Sequence, residues 1–305
     1  MEILRWFEGI RTPSLDWFFS TVTKFGEESL FILIGFIIFW CINKKHGYYI
    51  LFVGFLGVLI NQFLKILFRV PRPWVIDKDF TIVENARAEA TGYSFPSGHT
   101  QVSVGAYGAI ARATSKLWIR VISIILCILV PISRMYLGVH TPLDVGVSVI
   151  LALLLVFLMY PIHDFTAKRK NGMRAILGSM LLLSVAYLLF AELYPFPSNI
   201  DMINYNDALA NAYKILGSIL GIWLGYEIDA KYINFETSAV WWAQVLKLIL
   251  GAIPVLLIKS LLKQPLAETF GFAGDGIRYF LITLFACGIW PMTFKYFQKI
   301  GKGNV

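Results

Sequence analysis

The residues able to do chemistry in this chain collect in three short stretches. "SRMYLGVHTPLD" (133–144) holds Arg134, His140 and Asp144, "YSFPSGHTQ" (93–101) holds Ser97, Gly98 and His99, and "KILFRVPRP" (65–73) holds Lys65 and Arg72. A carboxylate four positions from an imidazole can accept a hydrogen bond from one ring nitrogen, which fixes the tautomer and leaves the other lone pair free to attack. His140 beside Asp144 is therefore the candidate nucleophile. No carboxylate stands near His99 in sequence, which suits it to general acid and base work. Arg134 adds a planar fork that matches a phosphate better than a lysine does. With Lys65 and Arg72 it makes three cations beside two histidines, a set suited to phosphoryl transfer.

Such a site needs elements that bring distant residues together. Pro96, Ser97 and Gly98 introduce an apolar segment, so its helix N-terminus would present unpaired N–H groups and a positive dipole end to an anion, with Ser97 adding a hydroxyl. Thr141 as N-cap, Pro142 at the first helical position and Asp144 three residues after the cap predict a second helix start. Lys65 lies on the last turns of another apolar segment and Arg72 follows past a proline break, so both can reach one point above the helix end. Pro131 is expected to mark a helix end and Gly138 a turn. His46 and His163 read as bystanders, Glu84, Arg87 and Glu89 as residues of a solvated loop, and Lys214 and Lys247 as snorkelling or headgroup-facing.

The apolar runs exceed what a soluble core needs: 57% of the 305 residues are hydrophobic. The reading is an all-α, polytopic transmembrane helical bundle. Nine candidate spans lie near 29–42, 47–68, 98–113, 117–132, 143–162, 174–194, 209–226, 240–262 and 276–297. Residues 1–28 mix charge with aromatics and build no compact apolar stretch, so no cleavable signal is expected there and an interfacial amphipathic helix is. Cys41, Cys127 and Cys287 sit singly in apolar runs and read as packing residues. The net charge of +8 is not pooled in one patch, which argues against nucleic acid. Lys44 and Lys45, then Arg112, Lys116 and Arg120, then Lys168, Arg169, Lys170 and Arg174 occupy every second short connection, with Lys295, Lys299 and Lys302 at the end. The positive-inside rule places these in the cytoplasm, and the N-terminus, 69–97, 133–142 and the loop "ELYPFPSNIDMINYNDA" on the opposite side.

The three stretches, in this order and spacing, resemble the signature of the type 2 phosphatidic acid phosphatase superfamily. That superfamily includes lipid phosphate phosphatases, polyprenyl-diphosphate and phosphatidylglycerophosphate phosphatases, glucose-6-phosphatase and the vanadium haloperoxidases. The resemblance implies an acid phosphatase/vanadium-haloperoxidase-like core at 29–163, after the N-terminal segment 1–28 and before additional C-terminal transmembrane helices at 174–305. It implies that Lys65, Arg72, Ser97, Gly98 and Arg134 hold phosphate, that His140 attacks phosphorus, that Asp144 orients it, and that His99 protonates the leaving oxygen and then activates water. No metal and no other cofactor is implied. The expected partners are a lipid phosphate substrate and membrane lipids, with the reaction at the extracytoplasmic face of a plasma (inner) membrane. A polyprenyl diphosphate or phosphatidylglycerophosphate-like lipid ranks first and a sphingoid-base phosphate second. A sugar phosphate ranks lower, because that branch departs from the aspartate at 144. An anion or lipid transporter is the alternative from another class; it explains the spans but not a histidine four positions from an aspartate beside a second histidine at a helix cap. Three roles stay open for the C-terminal helices: widening a lipid groove, forming a homo-oligomer interface, or binding a partner.

Overall fold

Backbone polar groups in hydrocarbon must be satisfied within the segment, and long runs of Leu, Ile, Val and Phe achieve this as helices. The computed structural model describes residues 1–88, 90–169 and 171–300, so Glu89, Lys170 and Lys302 lie outside it. Among the described residues every regular element is helical. In order these are α1 (Glu2–Gly9), α2 (Pro13–Thr23), α3 (Glu28–Ile37), α4 (Lys44–Phe68), α5 (Pro73–Ile76), α6 (Gly98–Ala113), α7 (Leu117–Tyr136), α8 (Pro142–Ala167), α9 (Gly172–Leu193), α10 (Met202–Ile228), α11 (Trp241–Leu261), α12 (Lys263–Phe270), α13 (Phe272–Leu284) and α14 (Phe294–Lys299), with short π and 3-10 turns between some of them.

The protein is an integral membrane protein. Seven helical stretches are long and apolar enough to cross a bilayer, and α2 with α3, bent by 53° at their junction, would make an eighth. The remaining expected span, 98–113, corresponds to α6, which is shorter than these seven and packs along the span α7. At 16 residues, α6 is about 24 Å long, short of the roughly 30 Å hydrocarbon core. Its middle is buried from Thr100 to Tyr107, so protein rather than lipid surrounds it, and polar residues such as Gln101 and Ser103 are tolerated there.

Two expectations are corrected. Residues 1–28 form two main helices rather than one, because the Thr12 hydroxyl caps α2 by accepting from Leu15 N at 3.4 Å and Pro13 occupies the first helical position without an N–H to donate. Pro131 does not end a helix: α7 continues through it to Tyr136, as membrane helices can when neighbours re-satisfy the freed carbonyl. Arg134 is thereby held on the last turn of α7.

The chain forms two compact units. The first comprises Met1–Leu33, Tyr49–Ile162 and Pro195–Ala208, and the second Ile34–Tyr48, His163–Tyr194 and Leu209–Val305. In the first, α6 packs along α7, the Tyr49 hydroxyl donates to Val156 O at 2.7 Å, and Tyr136, Leu137 and Val139 form a core with Phe7, Phe19 and Trp74 against it. The N-terminal segment is tied down there: Arg5 pairs with Asp77 at 2.6 Å, Glu8 accepts from Thr81 N at 2.8 Å, and Arg11 donates to Thr81 O at 2.9 Å and to Tyr136 O at 3.2 Å.

In the second unit, Trp40 Nε1 donates to Ala286 O at 2.8 Å, Lys44 pairs with Asp229, and Arg174 pairs with Glu227 at 2.7 Å. Lys247 is neither a snorkelling nor a headgroup-facing residue. It is 1% exposed, with Nζ on Thr237 O at 3.3 Å and over the Phe294 ring. His46 and His163 also belong to this unit.

Candidate active site

All eight residues singled out for phosphate chemistry fall in the first unit. Six of them (Lys65, Arg72, Ser97, Arg134, His140 and Asp144) are buried, whereas Gly98 and His99 are partly open.

The α8 start positions the pair His140 and Asp144. Thr141 Oγ1 accepts from Asp144 N at 3.3 Å while Asp144 Oδ2 accepts from Thr141 N at 2.8 Å, a reciprocal cap that fixes the carboxylate just below the imidazole. The Ser94 hydroxyl donates to the same oxygen at 2.6 Å. His140 Nδ1 stands 3.5 Å from Asp144 Oδ2, close enough for attraction but long for a hydrogen bond, as catalytic contacts often are without substrate. The turn ahead of His140 needs a glycine: Gly138 has φ +82°, and a Cβ there would meet the Phe80 ring at 2.9 Å.

Arg72 closes the other side of the imidazole. Its Nη1 lies 2.9 Å from His140 Nε2, and its remaining donors go to backbone carbonyls: Nη1 to Val139 O at 3.0 Å, Nε to Gly92 O at 3.1 Å and Nη2 to Thr91 O at 2.6 Å. A guanidinium cannot accept, so His140 Nε2 is the lone-pair nitrogen and Nδ1 carries the proton toward Asp144. Burial, then the cations Arg72, Arg134 and Lys65, push the His140 imidazole well below its ordinary value of 6.5. It is neutral at neutral pH, the form in which a histidine attacks.

Lys65, near the end of α4, donates to Tyr93 O. Ser97 caps α6 through Thr100 N at 3.5 Å, and its own N–H donates to Asp144 O at 3.1 Å, which joins the second stretch to the third. Arg134 Nη1 donates to Thr23 Oγ1 at 2.6 Å. Thr23 also lines a cavity of about 460 Å³ whose wall includes Asp16, Ser20, Lys24 and Asn85. His99 Nε2 is buried without a hydrogen-bond partner among the described residues.

Sequence reasoning missed Ser94 and Thr23. Ser94 lies inside the second stretch, where one loop hydroxyl carries no specific signal, and Thr23 carries no local signal at all. Among the described residues no three His, Cys, Asp or Glu side chains cluster as metal ligands would.

Buried guanidinium groups, a helix N-terminus and a neutral imidazole beside a capped carboxylate thus lie together in the first unit. The PAP2 superfamily profile matches residues 46–168, and a profile described as PAP2 superfamily phosphatase, transmembrane extension, matches 213–302. Phosphatidylglycerophosphatase B of Bacillus subtilis is 31% identical over 163 residues, covering 49% of this chain and 76% of that protein. Undecaprenyl-diphosphatase of the same organism is 32% identical over 40% of this chain and 60% of its own length. Dihydrosphingosine 1-phosphate phosphatase of Schizosaccharomyces pombe is 27% identical over 84% of this chain and 64% of its own length. The chain belongs to the PAP2 superfamily. It spans about three fifths of the length of the first curated relatives it matches.

Proposed function

We propose that this protein is a membrane phosphatase that hydrolyses a lipid phosphate or diphosphate through a phosphohistidine on His140, at the extracytoplasmic face. The observation that carries the proposal is the placement of His140 Nε2 at 2.9 Å from the Arg72 guanidinium. A phosphate drawn in by Arg72, Arg134, Lys65 and the N-terminus of α6 would take over the Arg72 N–H, release the imidazole lone pair and stand in front of it. His140 attacks phosphorus, His99 gives a proton to the leaving oxygen, and the same ring then takes a proton from water as the phosphohistidine hydrolyses. The cations stabilise charge on the equatorial oxygens in a water-poor site. The division into a phosphatase core at 29–163 and C-terminal helices from 174 is part of this reading.

A polyprenyl diphosphate or phosphatidylglycerophosphate-like substrate is the first expectation, in keeping with two of the relatives. One observation favours a second, a sphingoid-base phosphate. The dihydrosphingosine phosphate phosphatase aligns over 84% of this chain, whereas the other two align over 40% and 49%.

His140→Ala is expected to lower phosphate release below about a thousandth of the wild-type rate, with heat stability retained. Wild-type turnover by that variant in detergent would end the nucleophile assignment. A panel of lipid diphosphates and monophosphates beside glucose 6-phosphate decides among the substrates.

A further inference from the structure

Two buried side chains beside the candidate site have no place in the chemistry above. Both carboxamide atoms of Asn61 and both of Gln101 lack a hydrogen-bond partner among the described residues, at 2% and 3% exposure. Gly57, Asn61 and Lys65 follow one another at single-turn spacing on α4 and share a face. A Cβ on Gly98 would lie 3.9 Å from Asn61 Oδ1, and one on Gly57 would lie 2.7 Å from Gln101 Nε2. The two carboxamides therefore cross between α4 and α6 at successive levels. Asn61 lies against the residue that opens the anion seat, next to His99, and Gln101 lies one turn further from the helix end.

A carboxamide shut away from solvent needs a partner for its N–H groups and another for its oxygen. Water both donates and accepts, and it is small enough for a gap between packed helices. We propose that Asn61 and Gln101 seat water behind Gly98, and that this water is the reactant in the second half of the reaction. The proposal rests on the phosphohistidine reading. The water oxygen bonds to phosphorus, the P–Nε2 bond of His140 breaks with its electron pair returning to Nε2, and the water proton passes to the neutral His99 ring. Asn61 and Gln101 act as positioning residues for hydrolysis and leave formation of the phosphoenzyme untouched.

The test uses the full-length variants Asn61→Leu and Gln101→Met, both close in shape to the native residues, in rapid-quench assays with a phosphorus-labelled lipid phosphate. Each is expected to release about one equivalent of lipid alcohol per enzyme in a burst, to accumulate acid-labile phosphoenzyme, and to show steady phosphate release at least tenfold slower. Both kcat and KM should fall together while kcat/KM is unchanged, because that ratio reports steps up to phosphoenzyme formation. Both variants replace a buried carboxamide with an apolar side chain of similar shape, so thermal midpoints near wild type are expected. If one variant fails to fold, the other decides. Turnover like wild type, or a loss of kcat/KM without phosphoenzyme, overturns the water seat alone. A wild-type protein that forms no phosphoenzyme on His140 overturns the function proposed above as well.

Discussion

Arg72 shows what a single residue contributes here and why its chemistry is hard to replace. Its guanidinium reaches three carbonyls and an imidazole at once, from one planar group. A lysine offers a point charge and cannot span those partners. Arg72→Lys is therefore expected to lose at least about tenfold in kcat/KM, as two or more charge-assisted bonds at roughly 1.5–3 kcal/mol each are broken, and to resemble Arg72→Ala more than wild type. Steady-state kinetics on one lipid substrate would check this. The same cations make a pH prediction. Burial and positive neighbours hold the His140 imidazole below its ordinary value of 6.5, so lowering the pH protonates it only after that value has been passed. The acid limb of kcat/KM, which reports the free enzyme, is expected below pH 6.5 once the ionisation of the substrate phosphate near about pH 6 has been corrected for. A limb at or above 6.5 from His140 would contradict the stated environment. Residue chemistry was the part most legible in the sequence, because His140, Asp144, Arg134, Ser97 and His99 sit at fixed offsets within two short stretches. Ser94 and Thr23 were not legible, since each acts only through a contact that folding creates.

At the scale of elements, α2 belongs to the wall of the site. Its last residue, Thr23, receives Arg134 from the last turn of α7, and Arg11, just ahead of it, holds the carbonyl of Tyr136 on that same turn. The expected interfacial helix hid this. Thr12 and Pro13 carry the same start signal as Thr141 and Pro142, so the break was written in the chain, but the docking of α2 on α7 depends on tertiary packing that no local pattern specifies. The same limit applies to α6, because periodicity does not report whether lipid or protein surrounds a helix. Loss of one hydrogen bond to a charged group costs roughly 1.5–3 kcal/mol. Thr23→Val is thus expected to lower kcat/KM by about tenfold or more, and Thr23→Ser to restore most of it. If the valine and serine variants behave alike, Thr23 is only a packing residue and the role given to α2 falls.

At the scale of the molecule, the unit that holds the site is assembled from three separated segments, the last of which is Pro195–Ala208. This return has a physical function. Phe196 lies under the Arg69 guanidinium at 5.6 Å, on the turn that leads α4 into Arg72, and Lys65, near the end of the same helix, donates to the Tyr93 carbonyl. The turn between Lys65 and Arg72 is thereby touched by a loop that lies more than a hundred positions further along the chain and bears none of the motif residues. Nothing in "ELYPFPSNIDMINYNDA" marks it as part of the site, because its contribution is a set of contacts rather than a chemistry. Exchanging residues 195–200 for a Gly/Ser linker of equal length keeps every motif residue and leaves Asp201, whose carboxylate accepts from Ile203 N and Asn204 N at the start of α10, in place. It is expected to lower kcat/KM for a lipid phosphate by roughly 2- to 30-fold, on the basis that a cation–π contact of about 0.5–2 kcal/mol beside Arg72 is lost. The phosphoenzyme should still form on His140, only more slowly, because the linker leaves the α8 cap and Asp144 intact. Unchanged kinetics in the exchanged protein would show that Lys65 and Arg72 are held by their own segments, and that the loop joins this unit without serving the site.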